Sequence, residues 1–161
     1  MDLVFVFGAE SNGTRLMTRI FIENGYWGID GHDQPSITNI PHKKKIVIRR
    51  SIPHGGDWKA FQKEWEQASN LGYHPKVVVP IRNQQFAAKS AVKAEHTDCY
   101  EAAYYQQSRA LKNLFRFLQA GDINIVTYES LITDSIEAVR HLGLTKMPKV
   151  VNENRKYYEH E

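Results

Sequence analysis

Leu3-Val4-Phe5-Val6-Phe7, the loop from Gly8 to Gly13 and the segment after it constrain this chain more than any other stretch. A run of strand-favouring residues too short for a helix and closed by a glycine predicts a buried strand. Beyond Gly13 the apolar residues Leu16, Met17, Ile20 and Phe21 recur at three- and four-residue intervals, which predicts an amphipathic helix ending near Asn24-Gly25. Strand, glycine loop and helix together form a cradle for an anion. The first helical turn leaves backbone N–H groups without intrahelical partners, and these, with the helix dipole, favour a phosphate or sulfate.

Gly8 and Gly13 stand at the spacing of a P-loop, but Thr14 and Arg15 occupy the places of its Lys and Ser/Thr, which weakens an ATPase reading. A glycine here also serves any fold that only turns the chain between strand and helix. The loop by itself leaves both readings open.

The 161 residues fit one domain, 1–161, with a sizeable core. A formal net charge of +3 argues against a general nucleic-acid coat and is compatible with an anionic ligand. Cys99 is the only cysteine, so an intrachain disulfide is impossible and a cysteine-based zinc site is disfavoured. The expected compartment is reducing and cytoplasmic. No apolar run reaches membrane-spanning length, and Leu3–Phe7 lacks the basic flank and length of a signal peptide. The histidines show no His-x3-His spacing, and no metal site is expected.

Along the chain, Tyr26 to Lys45 reads as a long loop ending in three lysines. Ile46-Val47-Ile48 predicts a second strand, followed by Arg49-Arg50-Ser51 and a loop through Pro53, His54, Gly55 and Gly56. Asp57 is the expected cap of a helix whose stripe is Trp58, Phe61, Trp65 and Ala68. Val77-Val78-Val79, apolar on both faces, predicts a central parallel strand closed by Pro80. Tyr100 to Leu118 predicts a long helix with Tyr104, Ala110, Leu111, Leu114, Phe115 and Leu118 inward, capped at Gly121. Ile123 to Thr127 is a fourth strand, and Tyr128 opens a last helix burying Ile136, Val139 and Leu142 before Gly143. The tail with Pro148, Arg155, Lys156, Tyr157 and Tyr158 has no period and is either disordered or folded back over a site. Strands alternating with helices predict a three-layer α/β/α domain around a mostly parallel sheet, a P-loop-like nucleotide-binding fold.

Three pieces resemble, in order, the sulfotransferases that use 3′-phosphoadenosine 5′-phosphosulfate (PAPS). Glu10-Ser11-Asn12-Gly13-Thr14-Arg15 resembles that family's Pro-Lys-Ser-Gly-Thr-Thr loop, which holds the 5′-phosphosulfate. Val77-Val78-Val79-Pro80-Ile81-Arg82, with Ser90 eight residues after Arg82, resembles the strand whose Arg and Ser grip the 3′-phosphate. An Arg supplies a fork of donors suited to phosphate, and a hydroxyl adds another. Tyr128-Glu129-Ser130-Leu131, with Leu142-Gly143-Leu144, resembles the family's Tyr-Glu-Asp-Leu segment and the helix after it.

The resemblance implies Ser11, Asn12, Gly13, Thr14 and Arg15 around the 5′-phosphosulfate, and Arg82 and Ser90 on the 3′-phosphate. It implies His54, in the loop after the second strand, as the base, although it lies a few residues beyond the family's histidine. The implied reaction moves a sulfonate to a hydroxyl or amine of a small-molecule or glycan acceptor, without a metal, nucleic acid or membrane. The chain departs from the family where its loop lysine stands: Ser11 aligns there, preceded by Glu10, and Arg15 or Arg19 is left to supply the cation. Leu16 replaces the aromatic that stacks on adenine, and Arg155-Lys156 echoes a C-terminal Arg-Lys-Gly without its glycine. Two alternatives stand beside this reading: an ATP-dependent kinase-like phosphotransferase, and a non-catalytic protein that binds a nucleotide or anion.

Overall fold

A computed structural model of the chain describes residues 1–31, 33–51, 58–117 and 123–157. Four strands, β1 (Asp2–Gly8), β2 (Lys45–Ser51), β3 (His74–Ile81) and β4 (Ile123–Thr127), form one sheet in the order β2-β1-β3-β4. Every pairing is parallel, with Phe5 opposite Ile48 on one side and Val77 on the other. The helices are α1 (Thr14–Glu23), α2 (Trp58–Asn70), α3 (Gln84–Lys93), α4 (Tyr100–Phe117), α5 (Tyr128–Thr133) and α6 (Glu137–Arg140), with short 3-10 turns at Ile37–Asn39 and Glu153–Tyr157.

The period of two in β1 divides the core into two layers. Leu3, Phe5 and Phe7 point to one face, where Ile46, Ile48, Val77 and Val79 join Ala68 of α2 and Ala110 and Leu114 of α4. Val4 and Val6 point to the other, against Met17, Ile20 and Phe21 of α1, Leu131 of α5 and Val139 of α6. A strand covered on both faces has to be apolar at every position, which is why Leu3–Phe7 shows no polar alternation. The expected three-layer α/β arrangement is present.

Some local expectations change. Of the expected α4 stripe, Ala110 and Leu114 are buried, Leu111 is half-buried and Tyr104 is exposed; Ala103 and Gln107 are buried with them, because small Ala88, Ala91 and Ala103 let α3 and α4 approach closely. The last helix is broken: α5 stops at Thr133, Ser135 takes a φ of 47°, and α6 follows. A serine in that left-handed region interrupts the helical ladder. Asp57, Leu118 and Gly121 lie outside the described residues, as do the side chains of Trp58, Phe61 and Phe115. The long loop after α1 is built in: Trp27 bridges to Ile46 and Ile37 is buried. The tail folds back, and Asn154 is fully buried.

All four strands run the same way, so Gly8, Ser51, Ile81 and Thr127 end at one edge of the sheet. The connections from β1 lead to β2 on one side and, further along the chain, to β3 on the other, which makes the end of β1 a topological switch point. Crevices at such points are where open α/β sheets take ligands.

Candidate functional site

A cleft of about 820 Å³ opens at this edge. Its floor is the loop between β1 and α1. Gly8 admits no side chain, since a Cβ would lie 2.6 Å from Thr14 Cγ2 and 3.3 Å from the Pro80 carbonyl. Gly13 has a φ of 89°, and a Cβ there would lie 2.8 Å from the Tyr128 ring. The glycines therefore serve packing as well as turning, which the bare turn reading does not require. Helix α1 begins without a side-chain cap, and its first backbone bond runs from the Met17 N–H to the Gly13 carbonyl. The amides of the first turn are thus left to the cleft that Gly13, Thr14, Arg15 and Leu16 line.

Asn12 holds the loop in shape. Its Nδ2 donates to the carbonyls of Ala9 and Glu10 and to Gln107 Oε1, at 3.2–3.3 Å, while its Oδ1 accepts the Arg82 N–H at 3.0 Å. The side chain is 2 % exposed and does not line the cleft. Gln107 of α4 also donates to the Glu10 carbonyl.

Arg82 stands immediately after β3 and lines the cleft. Its Nε donates to Asn154 Oδ1 at 2.7 Å and its Nη1 to the Ser11 carbonyl at 3.1 Å. The guanidinium lies 4.7 Å from the Tyr128 ring centre and 5.9 Å from that of Tyr157. The residue is 8 % exposed, and its Nη2 has no hydrogen-bond partner. Among the described residues no carboxylate forms an ion pair with it. Asn154 in turn donates to Glu129 Oε1, which also receives the Asn83 N–H. Ser90, on α3, lines the same cleft.

Arg15 lines the cleft but is exposed, and its Nε donates to the Asp30 carbonyl. Arg19 is spent on the Asp30 carboxylate at 2.9 Å, and that hydrogen bond is the main cause holding the Asp30 carboxyl below its usual range. At the end of β2, Arg50 is clamped by both oxygens of Glu64 at 2.8 Å. Arg49 is 8 % exposed; burial, then the charge of Arg15, pushes its guanidinium below the usual arginine value. Lys149, His96, Gln34, Glu10 and Glu153 also line the cleft, with His96 Nδ1 4.0 Å from Glu10 Oε2.

Ser11, Gly13, Thr14, Arg15, Arg82 and Ser90 thus share one cleft, Asn12 lies beneath it, and His54 lies outside the described residues. Sequence reasoning missed Arg49, Gln107, Tyr128 and Asn154 as parts of the site. Arg49 and Tyr128 carried a usable signal, since each stands at the end of a predicted strand where α/β sheets collect ligands. Gln107 and Asn154 carried none. Among the described residues no group of three or more metal-ligating side chains is present, and no helix is long and apolar enough to cross a membrane.

No family model and no curated protein matches the sequence. Solved structures match the fold. Mouse sulfotransferase SULT7A1, complexed with PAP, superposes with a TM-score of 0.63 at 14 % identity, over 97 % of this chain and 62 % of that one. The sulfotransferase domain of the Synechococcus PCC 7002 olefin synthase gives 0.59 at 10 % identity, over 99 % and 83 %. The chain has a sulfotransferase-like fold, and it spans about three fifths of the length of the mouse enzyme.

Proposed function

We propose that the cleft binds PAPS and that the chain moves its sulfonate to a hydroxyl or amine acceptor. The observation that carries this is Arg82 Nη2, a buried, charged donor without an acceptor. Leaving such a group unpaired costs about 1–3 kcal/mol or more, and a phosphate oxygen offsets that cost once the side chains that cover the atom move aside. Two further features support the reading: the open first turn of α1 for a second anionic group, and the solved structure of similar fold that holds PAP.

Arg82 and Ser90 hold the 3′-phosphate. The loop from Ser11 to Arg15 holds the 5′-phosphosulfate, chiefly through its backbone amides, with Asn12 fixing the loop from below. In the transfer, the bond from sulfur to the 5′-phosphate oxygen breaks and that oxygen keeps the electron pair. A new bond forms from sulfur to the acceptor, whose proton passes to a base, assigned to His54. Placing the acceptor in line and neutralising charge on the leaving oxygen are what the protein contributes. The location is taken as cytoplasmic and the acceptor as a small molecule or glycan.

The non-catalytic reading keeps one observation in its favour: Ser11 stands where the family has its lysine, and Arg15 is already engaged by Asp30. Transfer of labelled sulfonate from PAPS to a panel of hydroxyl and amine acceptors separates the two. Labelled product supports the enzyme; nucleotide binding without product supports the non-catalytic protein; absence of nucleotide binding removes both.

A further inference from the structure

Toward the end of the sheet opposite the cleft, a second pocket of about 290 Å³ lies between the early parts of β1, β3 and β4 and the C-terminal ends of α1 and α6. That volume stands at the lower end of small-molecule sites, roughly 300–1,000 Å³. The nucleotide reading above uses none of its residues. We infer that this pocket is a second binding site, whose ligand is a small carboxylic acid with an apolar body. The inference is independent of the PAPS reading.

The register of the sheet puts two polar side chains where the fold calls for apolar ones. Lys76 pairs with Val4 and Asn124 with Val78, and residues in register share a face. Val4 and Val78 belong to the core layer beneath α1 and α6, so Lys76 and Asn124 extend that layer with polar groups. Strands covered on both faces are otherwise apolar throughout, as Val77-Val78-Val79 is immediately after Lys76. Both residues line the pocket, as does His141, and among the described residues no hydrogen bond or ion pair engages these three side chains. Tyr26 brings a further donor. Burial, then the charge of Asp2, raises its phenol above the ordinary value, so the group keeps its proton. Among the described residues no carboxylate lines the pocket, Asp2 included. The rest of the wall is apolar, formed by Val4, Val78, Phe21 and Leu142, with the Tyr26 ring edge-on to Phe21 at 5.0 Å between ring centres. An ammonium, an imidazole, an amide and a phenol thus face one pocket beside an apolar surface. A carboxylate accepts several such donors at once and answers the lysine charge, while its apolar body covers the wall. A cationic ligand would find no acid there, and a neutral one would leave Lys76 uncompensated.

Nuclear magnetic resonance of the isotopically labelled full chain, titrated with benzoate, benzamide and acetate at constant ionic strength, tests this. Benzoate is expected to give saturable shifts at the Val78, Asn124 and Leu142 amides. Benzamide, which lacks the charge, and acetate, which lacks the ring, are each expected to bind roughly tenfold or more weakly, as loss of one charge-assisted hydrogen bond or of the apolar contact warrants. Lys76→Gln weakens benzoate by roughly tenfold and leaves benzamide unchanged, a difference that a merely structural lysine would not produce. The lysine is exposed, and should the variant still fail to fold, the comparison of the three probes on the wild type decides. Absence of saturable shifts, equal binding of benzamide or acetate, undiminished benzoate affinity in folded Lys76→Gln, or shifts confined to the cleft around Gly13 and Arg82 overturns the second site. None of these outcomes bears on nucleotide binding, which the PAPS titration reads separately.

Discussion

Arg82 Nε and Asn154 Oδ1 lie 2.7 Å apart across 72 residues of sequence, and this bond ties the tail to the switch point of the sheet. Both residues are buried, and the same asparagine passes its other end to Glu129. The arginine is thereby aimed without being neutralised: a carboxylate in direct contact would consume the charge, while an amide relays only part of it.

Asn154→Ala leaves Arg82 Nε and Glu129 each short of a partner. The expected loss is about 1–3 kcal/mol of stability, read from denaturant midpoints, together with weaker nucleotide binding. Asn154→Asp is expected to weaken nucleotide binding, because the new charge pairs with the guanidinium, and to lose stability as well, because it no longer donates to Glu129 and its charge faces that carboxylate.

Gly13→Ala and Gly143→Ala both place an alanine at positive φ, 89° and 74°, but only the first also drives a Cβ into Tyr128. The backbone term alone is about 1–2 kcal/mol. Thermal unfolding is therefore expected to show a distinctly larger loss for Gly13→Ala than for Gly143→Ala, and nucleotide binding should suffer only in the first.

Phe5 is fully buried in β1, stacked on Trp65 with ring centres 6.1 Å apart. Phe5→Ala removes the centre of one core layer, and the expected cost is about 3–5 kcal/mol in equilibrium unfolding.

Asp30 titrates below its ordinary carboxylate value because Arg19 donates to it. A depressed folded-state value means that the pair contributes above the ordinary value and is lost as pH falls through the lowered one. The wild type is expected to lose its small stability advantage over Asp30→Asn on acidification through that window, with the difference shrinking in salt, since both side chains reach solvent.

The fold was legible where one physical pattern dominated. Leu3–Phe7 and Val77–Val79 are apolar at every position, and only strands covered on both faces require that. Arg82 and Ser90 were paired by the resemblance to the sulfotransferases, and they line one cleft because a strand end and the following helix are a local unit. Tyr104 misled because its helical spacing is that of a buried stripe, whereas the close α3–α4 contact selects alanines. Asn154 and Gln107 were illegible for a different reason: each acts through a contact more than seventy residues away, and nothing near them in sequence marks it. The break at Ser135 had no glycine or proline to announce it.

The central claim is that Arg82 reads a 3′-phosphate. Thermal shift of the wild type and Arg82→Ala, each with millimolar PAP and with adenosine 5′-monophosphate, tests it most directly. The predicted result is a clear stabilisation of the wild type by PAP, a much smaller one by the nucleotide lacking the 3′-phosphate, and no difference between the two in Arg82→Ala. Equal shifts with both nucleotides in the wild type, or a PAP shift that survives loss of the arginine, would contradict it.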